Sequence, residues 1–408
     1  MISHAAPSSI SERSTAVVRS KIWRQLLGCS LAGLVLIACG SRTSTSPTAN
    51  PANQANQANQ AISPPLTKSE LVRGASRSCI VPGPRAPKVD WSKMKNPILS
   101  SPIAGVKDEA IIWAGGLWHM LFGYVSRDPS APGGVRWQVA TATSTNMVHW
   151  SKPTFWPPQP GLIGAGGPDV ARSPNGTFVV AFGSAGGTNG TVNKSFYRTS
   201  TNLQSWSAPH PLAANMAPNP KDPMIDPVVA YTGYGAVLGF KTGSSEFPTS
   251  TNVSGQAAEV AWSPSGSLNG PWKYVGRLDA SVYNDTFEDT EFFTVAGRWY
   301  LLGMSNTLDQ PWLYTLSGNP STPSGWLKWS NGRQLQVPGQ AWDSGPGISS
   351  IGFEHANSAY LCNARATDGY YYLLYSGSNE LTQFDGVGHA KIGIARSTDL
   401  IHWQVPPG

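Results

Sequence analysis

Apolar and polar positions alternate with a period of two through most of this chain, and the alternating stretches recur as units. GLWHMLFGY, GTFVVAFGS, GAVLGFKTG, GRWYLLGMS and GYYYLLYSG each read as a strand entered from a turn glycine. Before each stands a short phrase with an acidic residue near its start: VKDEAIIW (Asp108), GGPDVARS (Asp169), MIDPVVAY (Asp226), FEDTEFFT (Glu288) and FEHANSAY (Glu354, then His355). These anchors lie 61, 57, 62 and 66 residues apart, a period near sixty. Four units close on a tryptophan turn: STNMVHWSKP, STNLQSWSAP, SLNGPWKYVG and STDLIHWQVP. Strand-rich repeats of this length predict an all-β fold, a five-bladed β-propeller with four-stranded antiparallel blades. The blades fall at about 105–160, 161–215, 216–280 and 281–345, with the fifth closing at Trp403. The fourth is the least regular, with PWLYTLSG and WLKWSNGRQL in place of the tryptophan turn. Residues 76–104 are broken by proline and are expected to wrap the ring. The turn tryptophans are assigned to packing between blades, with their polar neighbours capping the turn.

Composition suits such a fold: 16 Trp, 43 Gly and 34 Pro with only 13% charged residues fit many short strands and tight turns. The net charge of +6 is partly an effect of the N-terminus, since residues 1–38 hold Arg13, Arg19, Lys21 and Arg24 against Glu12. The remainder carries no basic run, which excludes nucleic acid as the expected partner. The basic flank leads into an apolar run, Leu26 to Ala38, too short to span a bilayer comfortably and suited to an export signal. Leu36-Ile37-Ala38-Cys39 resembles the lipobox of bacterial lipoproteins, which implies lipidation at Cys39; an ordinary signal peptide is the alternative. From Gly40 to about Ala75, with ANQANQANQ, the chain has too little apolar surface to order itself and reads as a tether of about 30–35 Å reach. The expected organisation is a signal over 1–38, a flexible linker over 39–75 and a propeller over 76–408. The product is exported, monomeric and held at the cell envelope or extracellular surface, touching membrane only through the lipid. With Cys29 in the signal and Cys39 in the lipobox, Cys79 and Cys362 remain, at the start and end of the ring. Outside the cytoplasm they would form a ring-closing disulfide; two buried thiols are the other reading.

Acids at equivalent positions of inner strands would gather around the central channel. Stability gives little reason to crowd carboxylates there, whereas crowding splits their pKa values as acid–base catalysis requires. The phrases resemble those of the five-bladed propeller glycoside hydrolases, above all family 43, with kinship to family 32. Ile225-Asp226-Pro227 matches the family's Ile-Asp-Pro motif intact. Lys107-Asp108-Glu109 resembles its opening Asp-Pro phrase, with Glu109 in place of Pro, and Gly167-Pro168-Asp169-Val170 resembles its Ala-Pro-Asp-Val. Glu288 takes the register of the family's acid, nine residues before Gly297, in a phrase Glu288-Asp289-Thr290-Glu291-Phe292-Phe293 that also resembles one of family 32. Glu354-His355-Ala356-Asn357-Ser358 is similar to the fifth-blade phrase of arabinan-cleaving members.

The resemblance implies a glycosidase for arabinan- or xylan-type polysaccharides or oligosaccharides, working by inverting displacement. Asp108 would be the base toward water, Glu288 the acid, and Asp226 the residue that orients Glu288 and keeps its pKa raised. Asp169 would support the pocket and His355 would contact substrate or hold a structural Ca²⁺ near the axis through water, although a lone His is more often structural. No cofactor is required. Glu291 is a rival to Glu288 by chemistry, but strand alternation turns it to the opposite face. Trp113 and Phe287 are candidate sugar platforms together with Trp118 and Trp342, inter-blade packing being the plainer reading of each. Arg172 and Arg365 are candidate anchors for hydroxyls or an acidic substituent. Two other readings stay open: a carbohydrate-binding propeller without turnover, and a fructosidase-like or phosphorylase propeller enzyme.

Overall fold

Each alternating stretch forms a strand. The computed structural model describes residues 63–131, 134–186, 192–214, 216, 223–242, 257–278, 287–305, 310–330, 332–343, 354–379 and 390–407. Cys39 and the signal lie outside the described residues.

Five four-stranded antiparallel sheets follow one another along the chain. The first has β1 (Ala104–Ala114), β2 (Leu117–Arg127), β3 (Val135–Ser144) and β4 (Thr154–Phe155). The second has β5 (Leu162–Arg172), β6 (Phe178–Gly186), β7 (Val192–Ser200) and β8 (His210–Pro211). The third has β9 (Ile225–Tyr231), β10 (Ala236–Thr242), β11 (Ala257–Ser263) and β12 (Lys273–Arg277). The fourth has β13 (Phe287–Val295), β14 (Arg298–Ser305), β15 (Gln310–Thr315) and β16 (Arg333–Gln334). The fifth has β17 (Glu354–Asn363), β18 (Tyr371–Ser378), β19 (Lys391–Ser397) and β20 (Trp403–Gln404). The innermost strands β1, β5, β9, β13 and β17 neighbour one another in that order, and β17 returns to β1. The fold is a closed five-bladed propeller. Its core lies between blades, where Trp118, Phe122, Phe182, Phe292 and Tyr372 are fully or almost fully buried. The turn phrases work as expected. In Ser144 to Trp150, Ser144 Oγ accepts from Met147 N, Asn146 Oδ1 accepts from Val148 N, and the Trp150 indole donates to Met147 O.

The chain before the first blade is laid across the ring. Residues from Ser63, expected at the end of a free tether, are packed instead: Leu66 N donates to Pro174 O, Leu66 and Leu71 are buried, and α1 (Lys68–Val72) begins with a Thr67–Glu70 capping box. Two leucines with an apolar surface to cover outweigh the ordering cost that the polar composition suggested. Residues 76–81 meet all five blades. Ser76 Oγ donates to Tyr231 O, and Arg77 donates to Val170 O, Val229 O and Phe292 O. Cys79 is disulfide-bonded to Cys362, and Val81 N donates to Trp113 O. This segment covers the ends of the inner strands and forms the floor of the channel.

Near its start each inner strand carries a bulge, an extra residue that breaks the register between Lys107 and Ala110, Gly166 and Asp169, Glu288 and Glu291, and Asn357 and Tyr360. In the third blade the same break falls opposite Gly239 and Lys241. The bulged residues are Asp108, Gly167, Asp226, Asp289 and Ser358, all with positive φ, from 45° at Asp289 to 58° at Gly167. Bulges re-aim side chains, and these five face the axis at the end opposite the floor. The left-handed conformation costs a non-glycine residue about 1–2 kcal/mol, least for Asp. Four such residues at equivalent places mark a strained ring of the kind found at functional sites.

Candidate active site

Three carboxyls of the bulge ring and the neighbouring Glu288 line one cavity of about 990 Å³, which runs outward between the first two blades. They form two linked groups. The Ser358 hydroxyl lies 2.8 Å from Asp108 Oδ1 and 2.8 Å from Asp289 Oδ2. One hydroxyl proton serves only one carboxylate, so the second contact requires that one carboxyl keep its own proton. Burial, and then the charges of Asp226, Asp108 and Glu288, push Asp289 well above the usual carboxyl range. Asp289 therefore donates to Ser358, and Ser358 to Asp108. The Lys107 ammonium stands 3.5 Å from Asp108 Oδ1.

The second group centres on Lys241 of β10. Its ammonium is 3.1 Å from Asp226 Oδ2 and in direct hydrogen-bonded contact with Glu288 Oε2. Burial acts to lower the Lys241 pKa, but Asp226, Glu288 and Asp289 outweigh it and hold it well above normal. Burial acts to raise Glu288, yet Lys241 and then Lys107 hold it below the ordinary value. Asp226 stays raised, because burial together with Glu288 and Asp108 exceeds the pull of Lys241. The expectation that Glu288 is kept protonated is therefore corrected: it is an ion-paired carboxylate. The protonated carboxyl is its neighbour Asp289, which strand alternation alone would turn away and the bulge turns in.

The remaining predicted site residues lie elsewhere. Asp169 and Glu291 sit two residues beyond the ring and belong to the floor. Arg77, with its side chain fully buried, reaches Asp169 through two contacts of 2.6 and 2.7 Å and Glu291 at 3.2 Å. Burial pushes Glu291 well above the carboxylate range despite Arg77. Neither lines the cavity; both are tied to Arg77 of the floor segment. Trp113 is buried edge-on against Trp118 at 5.3 Å, and Phe287 edge-on against Tyr314 at 5.7 Å, so both are core. Trp342 stacks on Tyr375. Arg172 donates to Pro64 O, and Arg365 lies by Tyr371 in the connection between β17 and β18. Glu109, which stands where the resembling family has Pro, is buried, accepts from Ser376 and is pushed up by burial. His355 is on β17, but its side chain lies outside the described residues.

An aromatic wall comes instead from Trp137 of β3, which lines the cavity with Lys107 Nζ 5.6 Å from its ring. A Cβ on Gly166 would stand 2.8 Å from Trp137 Cε3, so this glycine makes room for the ring. Among the described residues no group of three or more His, Cys, Asp or Glu is placed to hold a metal ion. The carboxyls of the cavity are already engaged by Ser358 and Lys241, and this donor set does not fit Ca²⁺, which takes six to eight oxygens.

No protein-family model matches the chain, and no curated protein matches it. Solved structures do. A thermostable family-43 glycoside hydrolase is 15% identical over 77% of this chain and 96% of its own, with a TM-score of 0.50. An α-L-arabinofuranosidase of Podospora anserina, crystallised with cellotriose, is 15% identical over 74% and 93%, with a TM-score of 0.48. A family-130 structure, from a family described as mannoside phosphorylases that contains glycoside hydrolases, is 11% identical over 77% and 95%, with a TM-score of 0.48. Families 62 and 117 are also represented. At such identities the likeness is one of fold: a five-bladed propeller with structural neighbours among glycoside hydrolases.

Proposed function

We propose that the protein is a carbohydrate-active enzyme of the glycoside hydrolase kind, acting at an anomeric carbon held over the bulge ring. The observation that supports this is the opposite displacement of adjacent carboxyls in one cavity, Asp289 upward and Glu288 downward. Environments that drive neighbouring carboxyls apart assign acid and base roles. Asp289 is the proton donor to the leaving oxygen. Asp108, which shares Ser358 with it, acts on the anomeric carbon. The two carboxyl oxygens are no farther apart than two hydrogen-bond lengths end to end. That is short of the ~6.5–9.5 Å that admits a water and nearer the ~5 Å of the retaining kind. Asp108 is accordingly proposed as the nucleophile, in place of the base of an inverting reaction. Its carboxylate bonds to the anomeric carbon as the glycosidic C–O bond breaks and Asp289 protonates the departing oxygen. Water, deprotonated by Asp289, then releases Asp108. Lys241 fixes Asp226 and Glu288 beside the sugar.

The substrates to try first are arabinan- and xylan-type glycans, as the sequence resemblance implies. Export and lipidation at Cys39, and a monomeric state, belong to the same proposal and rest on sequence. A screen of aryl-glycosides and polysaccharides with wild type beside Asp289→Asn and Glu288→Gln tests it. The expected result is turnover with retained anomeric configuration, lowered about 10²–10⁴-fold in Asp289→Asn. Activity undiminished in Asp289→Asn would sink the assignment.

A second reading has an observation of its own. Lys241 pairs with two of the four carboxyls, which suits a binding protein that presents hydrogen-bond acceptors to sugar hydroxyls. Binding of glycans without hydrolysis of any would establish it.

A further inference from the structure

Away from the acids, the outer wall of the cavity carries a positive charge that the proposed chemistry does not use. Arg198 of β7 lines the cavity and is only 4% exposed. Its guanidinium stacks on the Trp156 ring, 4.6 Å from the centroid. Among the described residues no carboxylate or carbonyl accepts a hydrogen bond from it, and its Nε is buried without a partner. The Trp156 indole nitrogen, on the same wall, is likewise buried and finds no acceptor among the described residues. The other buried arginines each have an acceptor: Arg77 is held by Asp169 and three carbonyls, and Arg172, whose Nε is also unpaired, donates from Nη2 to Pro64 O.

Burying the Nε of a guanidinium without an acceptor is destabilising, and a cation–π contact of about 2 kcal/mol offsets only part of it. Arginine and tryptophan nitrogens are donors only, so what is missing is an acceptor, and the charge of Arg198 asks for an anion. The inner end of the cavity has the opposite character, with Asp108, Asp226, Glu288 and Asp289 around Lys107 and Lys241. A ligand suited to both ends is neutral where it reacts and negatively charged farther out.

We propose that Arg198 and Trp156 form a subsite for an anionic substituent of the glycan, a uronate carboxylate or a sulfate ester. This rests on the carbohydrate reading above and narrows it to acidic glycans. The guanidinium fork matches either group by paired N–H donors.

The test is equilibrium binding, by calorimetry, of acidic oligosaccharides beside neutral twins. One pair is a uronic-acid oligosaccharide and its carboxyl-reduced form, the other a sulfated oligosaccharide and its desulfated form. Measured at about 0.15 M salt, long-range attraction is screened beyond about 8 Å. The expected result is at least about tenfold tighter binding of the charged member of one pair, as for a hydrogen bond to a charged group. The pair that shows it tells carboxylate from sulfate. The preference should vanish in Arg198→Gln and partly return in Arg198→Lys. Equal binding of both twins overturns the subsite and leaves the carbohydrate reading intact. Binding of none of the four, nor of the neutral polysaccharides, removes both. The comparison of twins on wild type decides the matter even if Arg198→Gln does not fold.

Discussion

At the scale of single residues the site is decided by who holds the protons. Asp289 has a folded pKa above its unfolded value, near 3.8, so it contributes stability below that value which is lost as pH rises through the folded pKa. Asp289→Asn keeps a donor for Ser358 and cannot ionise. It should therefore melt higher than wild type at pH 7 and no higher near pH 4, about 1–2 °C for each kcal/mol regained. As the proton donor, Asp289 should also give wild type an alkaline limb, with turnover falling as pH climbs through its raised pKa. Lys241→Met should act oppositely on stability. It leaves Asp226 and Glu288 facing each other without their cation, with a loss of about 3 kcal/mol at pH 7 that shrinks as the carboxyls protonate in acid. Denaturant midpoints at the two pH values measure it. Lys241 had one sequence signal, a single lysine inside the apolar strand AVLGFKT. Ser358 had only its place at the end of the fifth-blade phrase, because a serine in a strand phrase is ordinary. Arg198 and Trp137 were equally silent, since alternation says that a strand has two faces and not which one meets a cavity.

At the scale of elements the bulge governs both what was legible and what was not. A period-two reading found the strands, their order and the acid-bearing phrases, because burial on two faces imposes that pattern directly. It misplaced three of the five anchors. In the second blade the ring position is Gly167 and not Asp169; in the fourth it is Asp289 and not Glu288; in the fifth it is Ser358 and not Glu354. An extra residue shifts the alternation, and no residue type announces where it is inserted. The same element offers a test of the aromatic wall. Gly166→Ala would set a methyl 2.8 Å from Trp137 Cε3, a distance that real contacts do not tolerate. The ring must swing into the cavity, with an expected loss of about 1–3 kcal/mol. Glycan affinity should fall while Asp289 keeps its pH signature. Unchanged affinity would mean that Trp137 does not touch the ligand.

At the scale of the whole molecule, closure depends on a segment outside the blades. The disulfide was legible because two cysteines remained at the two ends of a ring; the role of Arg77 was not, since its partners are spread over three blades. Arg77→Met strips Asp169 and Glu291 of their buried cation and should cost about 3–5 kcal/mol, read as a lower denaturant midpoint at unchanged slope. Arg365→Met, on an exposed side chain, should stay within about 0.5 kcal/mol. The plug carries a further consequence for traffic. With Arg77 filling the axis behind the acids, the tunnel that a propeller ordinarily encloses is a dead end. A polymer cannot thread through it: whatever reaches the carboxyls must back out by the way it came, and a long glycan can present only a terminus, a side branch or a bend.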